Sequence, residues 1–487
     1  MSPNSLQSMV QSRRQENSCA ELDRLQQKIG RLMMRMRIAV IFGSDKTAPG
    51  SVLYKTCNTR SWKSYEAVAQ DIARSLQRIG FRHVQLMPDD MQLGDSLRRK
   101  GIHMAWLNTG GVQGYNPAAH ASSILEMLGV PYVGHDPLAA TTLDNKHAFK
   151  REAVCAGIPT AAFSTWSMAR GDFRPELNSR FQSAFGEYGG RFIVKPVSGR
   201  ASLHVHVAET RAELPELVAS VYRATENVVL IEKYLSGREF CIGVAGPVTA
   251  RQSRLVRNGD PFTLSAIERV FEPEELIFTS MDARPITKDR LKKLDPRADR
   301  ELLERMRLLA CEVYREFNLS SLIRLDMRSD ADGSLHVLEA NPKPDLKQPA
   351  EGVTSLICAG LSDCGMDYDD LIFSLMADRL DYLFTHRSEA VRHILDLLEP
   401  GSSETVGAPS AAEREHAGAL PAVAGADAQS ADTHPIDQAV ARINKLVDEM
   451  NVLAEKAAIK APEAPEKGDR LNNDAAAKTI STIIQAA

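Results

Sequence analysis

Between Leu322 and Asp345 the chain reads LIRLDMRSDADGSLHVLEANPKPD, a stretch that sets two carboxylates, an amide and a guanidinium close together. Residues 322–327 alternate apolar and charged. A strand repeats every two residues, so Ile323, Leu325 and Met327 take one face and Arg324 and Asp326 the other. Residues 329–333, Ser-Asp-Ala-Asp-Gly, have turn composition. The return segment 335–340 delivers Glu339 and, two residues on, Asn341 on the same face. The pattern predicts a hairpin that gathers Arg324, Asp326, Glu339 and Asn341 into one patch. Two carboxylates and an amide oxygen form a hard, all-oxygen donor set that suits Mg²⁺ and leaves positions for phosphate oxygens and water. Two carboxylates also repel each other unless a cation sits between them. A solvent-facing hairpin edge with ordinary charges satisfies the same spacing.

The elements that must position this patch follow in order. Residues 37–43 form an apolar run ending in Gly, which reads as a buried strand. A helix near residues 65–79, with Val68, Ile72 and Leu76 on one face, leads to strands at 84–87 and 104–107. Strand, helix, strand implies a parallel α/β sheet. The glycines of 108–114 follow the third strand and would permit close backbone approach, but neither GxGxxG nor GxxxxGK[ST] is present. Helix 122–128 and strand 130–134 come next. One helix is expected from Leu143 to Ala156; Lys146 near its start opposes the helix dipole and calls for an anion, which a phosphate would supply. Residues 191–196 are a strand with Lys195 near its end, a compact charge suited to phosphate. Residues 228–235 are an apolar strand turning polar, and a carboxylate such as Glu239 shortly after can accept from two hydroxyls. Segments 240–248 and 264–271 read as strands of one sheet, 282–300 as a basic loop, and 301–317 as an amphipathic helix.

The bulk properties narrow the class. At 487 residues the chain exceeds one compact core and suggests roughly two to four domains. A net charge of −4 and 6% aromatic residues give no reason to expect a nucleic acid or an acidic membrane as partner. The seven cysteines are odd in number and scattered without CxxC, which points to free thiols in a reducing compartment. No apolar run reaches the ~18 residues of a membrane span, and no signal-peptide core is present, so a cytoplasmic protein is expected. Leu22, Leu25, Ile29, Leu32 and Met36 mark an amphipathic helix within 1–36. It serves either as a homodimer contact or as a helix lying on its own domain. Residues 399–435 have linker composition, and 436–487 carry a short heptad-like helix.

The hairpin closed by E-x-N resembles the metal-binding end of the ATP-grasp ligases, in particular the D-alanine–D-alanine ligase branch. LGVPYVGHDPLAA (128–140), the KP of Lys195-Pro196 and IEKYLSGREF (231–240) strengthen the likeness. It implies an α/β, three-part ATP-grasp fold with boundaries at 37–141 (parallel α/β), 142–235 (central lid) and 236–398 (mixed sheet), plus helical and disordered tails. By resemblance, Lys146, Lys195 and Ser198 contact nucleotide phosphates, Glu232, Lys233, Tyr234 and Leu235 line the adenine, and Glu239 takes the ribose. Asp326, Glu339 and Asn341 would hold two Mg²⁺ ions, with Mn²⁺ as a substitute, and Arg324 would act in catalysis. The implied reaction is ATP-dependent carboxylate–amine ligation through an acylphosphate, with small-molecule carboxylate and amine substrates. Two departures bear on the substrates. Lys343 to Lys347 stand where those ligases have a small-residue turn, and Gly43-Ser44-Asp45-Lys46 replaces their GGxSxE. Arg200 and Ala201 depart from the phosphate loop. A non-catalytic ATP-binding or scaffold protein of the same fold is the alternative.

Overall fold

The first apolar run becomes the centre of a parallel sheet, as its composition predicts. The computed structural model describes residues 19–43, 62–111, 117–199, 203–272, 274–277, 290–350 and 355–399. The chain divides into Met1–Val406 and Gly407–Ala487, and the second unit lies wholly outside the described residues. The linker and tail expectations, Ser44 to Lys46, Arg200, Ala201 and most of the basic loop (282–289) also lie outside them.

Helix α1 (residues 19–32) precedes β1 (Arg37–Gly43); α2 (Trp62–Ile79), β2 (His83–Asp89), α3 (Leu93–Arg99), β3 (Met104–Asn108), α4 (His120–Met127) and β4 (Tyr132–Val133) follow. The strands pair in the order β2-β1-β3-β4, all parallel. The periodic apolar side chains of α1, from Leu22 to Leu32, join Met36, Val68, Ile72 and Leu76 in one core cluster. That burial supports a helix lying on its own domain.

The expected single helix over 143–156 is two helices, α5 (Pro137–Asp144) and α6 (Lys146–Cys155). Asn145 breaks them apart: its backbone is extended, and its side-chain oxygen accepts from the His147 and Ala148 N–H groups. An asparagine cap satisfies donors that a continuous helix would satisfy itself. Lys146 is thereby the first residue of α6.

A second sheet comprises β5 (Phe163–Trp166), β6 (Phe192–Pro196), β7 (His206–Ala208) and β8 (Val229–Lys233), antiparallel in the order β5-β8-β6-β7. Helices α7 (Ser179–Phe185) and α8 (Leu214–Thr225) cover it through Phe181, Phe192, Val218, Val221 and Ile231. Strand β8 is shorter than expected, and Tyr234 and Leu235 lie beyond its end.

The third sheet contains β9 (Glu239–Ala245), β12 (Phe262–Thr263), β13 (Ile267–Arg269), β14 (Leu291–Lys293), β15 (Ile323–Ser329) and β16 (Leu335–Asn341). Its order is β14-β13-β9-β15-β16, with β12 pairing β9. The hairpin of β10 (Val248–Arg251) and β11 (Arg254–Arg257) stands apart. Helix α9 (Arg300–Glu316) backs the third sheet, burying Met306, Leu309 and Val313 against Ile323, Leu325 and Met327. Each such side chain contributes roughly 1.5–3 kcal/mol of apolar burial. Helix α10 (Tyr368–His386) packs on β10 and α2 and closes the unit.

Candidate functional site

The predicted hairpin forms, with Arg324 opposite Asn341 and Asp326 opposite Glu339. Strict alternation along β16 would nevertheless place Glu339 on the same side as Leu335 and Val337, which are both in the core. The register shifts between Asp326 and Met327, so that Met327 pairs with Val337 and Leu338 is the extra residue. This β-bulge moves Glu339 and Asn341 to the other face while Val337 and Ala340 stay buried. The freed edge is satisfied by α6's neighbour segment: the Val337 N–H donates to the Pro159 carbonyl at 2.8 Å, and Thr160 Oγ1 donates to the Val337 carbonyl at 2.8 Å.

Cations surround the two carboxylates. Arg324 grips Asp326 through Nε (2.7 Å) and Nη2 (2.8 Å), while Arg269 reaches it from β13 at 2.9 Å. The other arm of Arg269 meets Glu239 at 2.8 Å. Burial works against the charge on Arg269, yet Asp326 and the groups beside it hold its pKa well above the ordinary arginine value. Lys146 Nζ lies 3.3 Å from Glu339 and donates to the Gly199 carbonyl at 2.9 Å. Burial would raise the Glu339 pKa, but Lys146, Lys195 and Arg324 bring it down to about 2.

Behind these residues lies a buried triad. Glu232 is paired with Lys195 at 2.5 Å and with Lys150 at 2.7 Å. Lys150 also donates to Thr160 at 2.5 Å, so one ammonium links the bulged strand to β8. Lys150 has no exposed surface, and burial is the main reason its pKa falls. Burial opposes the charges on Glu232 and Lys195 as well, but their partners prevail: the Glu232 pKa is lowered and that of Lys195 raised.

At the far end, Arg328 lies 4.8 Å over the Tyr234 ring and donates to its hydroxyl at 2.9 Å; a second arm stands 3.5 Å from Glu239. Lys233 pairs with Asp330 at 2.6 Å.

A cavity of about 320 Å³ runs along this face, a volume in the range of small-molecule sites. All the sequence-predicted site residues line it except Ser198: Lys146, Lys195, Glu232, Lys233, Tyr234, Leu235, Glu239, Arg324, Asp326, Glu339 and Asn341. Ser198 instead forms a β-bridge with Asn145. Ile231, just before Glu232, belongs to the α8-side cluster. Arg290, from the basic loop, is buried against Glu275 at 2.6 Å. Among the described residues no group of three or more His, Cys, Asp or Glu side chains is arranged to hold a metal by itself.

The family described as D-ala D-ala ligase C-terminus matches residues 154–377, which include β8, β9 and the bulged hairpin. A D-alanine–D-alanine ligase of Gloeobacter violaceus is 25% identical over 346 residues, covering 71% of this chain and all of that protein. One from Desulforudis audaxviator is also 25% identical, over 66% of this chain and 90% of its own. The chain resembles the D-alanine–D-alanine ligases. Its fold matches the D-alanine–D-alanine ligase of Bacillus anthracis complexed with ATP, at 20% identity and a TM-score of 0.52 over 72% of this chain and 99% of that one. The D-alanyl-alanine synthetase A of Vibrio cholerae matches at 15% identity with a TM-score of 0.53, over 71% and 98% respectively.

In this ligase-like protein, sequence reasoning missed Lys150, Arg269 and Arg328. Lys150 follows Lys146 by four residues on one helix, and Arg328 continues the two-residue alternation of Arg324 and Asp326; both signals were present. Arg269 sits in a three-residue strand whose place beside β9 has no local signature. No helix among the described residues is long and apolar enough to cross a membrane.

Proposed function

We propose that the chain is an ATP- and Mg²⁺-dependent ligase that joins a carboxylate to an amine through an acylphosphate. The observation that carries this reading is the facing pair Asp326 and Glu339, ringed by Lys146, Lys195, Arg269 and Arg324 along one cavity. Phosphoryl transfer is governed by charge neutralisation and alignment, so a site for it needs anchored cations and oxygen ligands and no nucleophilic side chain.

In the first step a substrate carboxylate oxygen attacks the terminal phosphorus of ATP, and the bond to the ADP oxygen breaks. In the second an amine attacks the acyl carbon, the C–N bond forms, phosphate departs with the C–O electron pair, and the amine proton passes to solvent or phosphate. Lys146, Lys195 and Ser198 hold phosphate oxygens. Leu235, Tyr234, Lys233 and the backbone beside Glu232 receive the base, and Glu239 accepts from the ribose hydroxyls. Arg324 stabilises charge developing on the phosphoryl or acyl oxygen.

The donor set fits a hard divalent cation: Asp326, Glu339 and Asn341 offer only oxygens, and their small number leaves phosphate and water to complete the shell. Mg²⁺ (or Mn²⁺) held there would supply charge neutralisation for the phosphoryl group being transferred. The substrate end differs from D-alanine ligases through Lys343 and Lys347, which supports a substrate other than D-alanine.

The test is phosphate release from Mg-ATP across a library of amino acids and dipeptides, with products read by mass spectrometry. Asp326→Asn and Glu339→Gln are each expected to lower ADP formation by about 100-fold or more. Full turnover in either variant overturns the assignment.

A further inference from the structure

Arg269 stands between two carboxylates that the proposed mechanism assigns to different ends of the nucleotide. Strands β13, β9 and β15 lie side by side, with Arg269 opposite Glu239 and Glu239 opposite Arg328. Two residues along β15, Asp326 lies opposite Cys241. Phe240 and Ile242 of β9, with Leu325 and Met327 of β15, take the core face, so Glu239 and Asp326 share the cavity face. They are diagonal neighbours, roughly 7–8 Å apart along the sheet, too far to meet directly. The Arg269 guanidinium closes that gap: Nη1 donates to Glu239 Oε1 at 2.8 Å and Nη2 to Asp326 Oδ2 at 2.9 Å.

Charge balance does not account for this bridge. Arg324 already holds Asp326 through two donors at 2.7 and 2.8 Å, and Arg328 Nη1 stands 3.5 Å from Glu239. What Arg269 adds is contact with both carboxylates at once. A guanidinium is planar and rigid, so its two arms move together. Arg269, Glu239 and Asp326 are all buried, and a packed interior leaves little room for one to shift without the others. We propose that Arg269 is a positioning residue that makes sugar recognition and metal capture interdependent: ribose hydroxyls on Glu239 fix the guanidinium, and the guanidinium sets how Asp326 faces the incoming cation. The inference rests on the ligase reading above, which gives Glu239 the sugar and Asp326 the metal, and adds the link between them. Arg269 takes no part in bond making.

The experiment measures binding of ATP and of 2′,3′-dideoxyATP to the full chain by calorimetry, each with and without saturating Mg²⁺. The two nucleotides share base and triphosphate and bind Mg²⁺ alike in solution, so that contribution cancels. Mg²⁺ is expected to tighten ATP by about five-fold or more beyond what it does for the dideoxy nucleotide. In Arg269→Met the two enhancements are expected to agree within about two-fold, as for independent sites. That variant leaves each carboxylate its own arginine, and Arg269→Gln serves where the methionine protein does not fold. Equal enhancement of both nucleotides in the parent protein overturns the proposal without recourse to a variant. A variant that keeps the parent's difference overturns it too: a merely structural Arg269 would weaken both nucleotides alike and leave that difference in place. Failure of ATP to bind at all overturns the ligase reading and this inference with it, whereas ATP binding with sugar and metal uncoupled overturns the inference alone.

Discussion

Glu232 is the residue on which the interior charges balance. Its carboxylate is only 2% exposed and stands between Lys150 and Lys195. Removing one member of a buried ionic cluster costs most when it strands the charges left behind. Lys150→Met leaves the Glu232–Lys195 pair intact, whereas Glu232→Gln leaves two buried ammonium groups facing each other. The expected order in chemical denaturation is a loss of about 1–3 kcal/mol for Lys150→Met and about 3–5 kcal/mol for Glu232→Gln. A larger loss in Lys150→Met would mean that its bond to Thr160, and through it the bulged strand, dominates. At this scale the sequence was most readable where chemistry repeats at a fixed interval. Arg324 with Asp326, and Glu339 with Asn341, are each two apart, and the site holds all four. It was least readable where a side chain is fixed by an element distant in sequence: Arg269 acquires its position only when β13 lies beside β9 and β9 beside β15.

The bulge at Leu338 decides which face of β16 meets the cavity. Deleting Leu338, the residue without a partner in the register, would restore plain alternation with Val337 and Ala340 in the core and Glu339 and Asn341 still on the cavity face. The deletion is expected to keep the fold in denaturant and measurable ADP formation, because both carboxylates stay on the cavity face; loss of all ADP formation would show that the bend supplied by the bulge positions them. Leu338→Ala keeps the backbone count and is expected to keep the fold and measurable turnover. The two variants together separate the bulge from the side chain. No pattern of residue types marked this extra residue in advance. The same applies to the break at Asn145, where the run from Leu143 to Ala156 reads as continuous helix until the cap's hydrogen bonds are seen. Element identity was otherwise well forecast, because apolar runs and helical periodicity are properties of contiguous residues, and β1, α2, β8, β9 and α9 all appear where they were expected within a few residues.

Across the whole described unit, α10 braces the parallel sheet against the β10–β11 hairpin. Asp369 accepts from Ser75 and Arg78 of α2, Asp370 accepts from the Gln252 and Ser253 N–H groups, and Arg379 donates to the Tyr132 carbonyl at 2.9 Å. Asp378 accepts from the Val248 N–H at 3.0 Å and fills the space left by the missing side chain of Gly246. Burial raises the Asp378 pKa to about 6, helped by the neighbouring Asp381. A carboxyl whose pKa is higher folded than unfolded favours the fold below pH 4, and that advantage disappears as pH rises to about 6. Asp378→Asn, which keeps an acceptor for Val248, is therefore expected to match the parent near pH 4 and to exceed it by up to about 3 kcal/mol above pH 7. Urea denaturation across that range checks the sign. Equal pH profiles for the two proteins would show that Asp378 is solvated.

The ion pairs between Arg324, Arg269 and Asp326, and between Lys146 and Glu339, carry a consequence for how ligands enter. A nucleotide arriving without its divalent ion would draw the lysines and arginines towards its phosphates and strand the carboxylates. An ion arriving by itself would do the reverse and strand the bases. Only joint arrival exchanges every contact for another, so each component should enhance the affinity of the other by the same factor. Titration of ATP with and without excess Mg²⁺, by intrinsic fluorescence or calorimetry, is expected to give at least a ten-fold difference in Kd, and Glu339→Gln to shrink it.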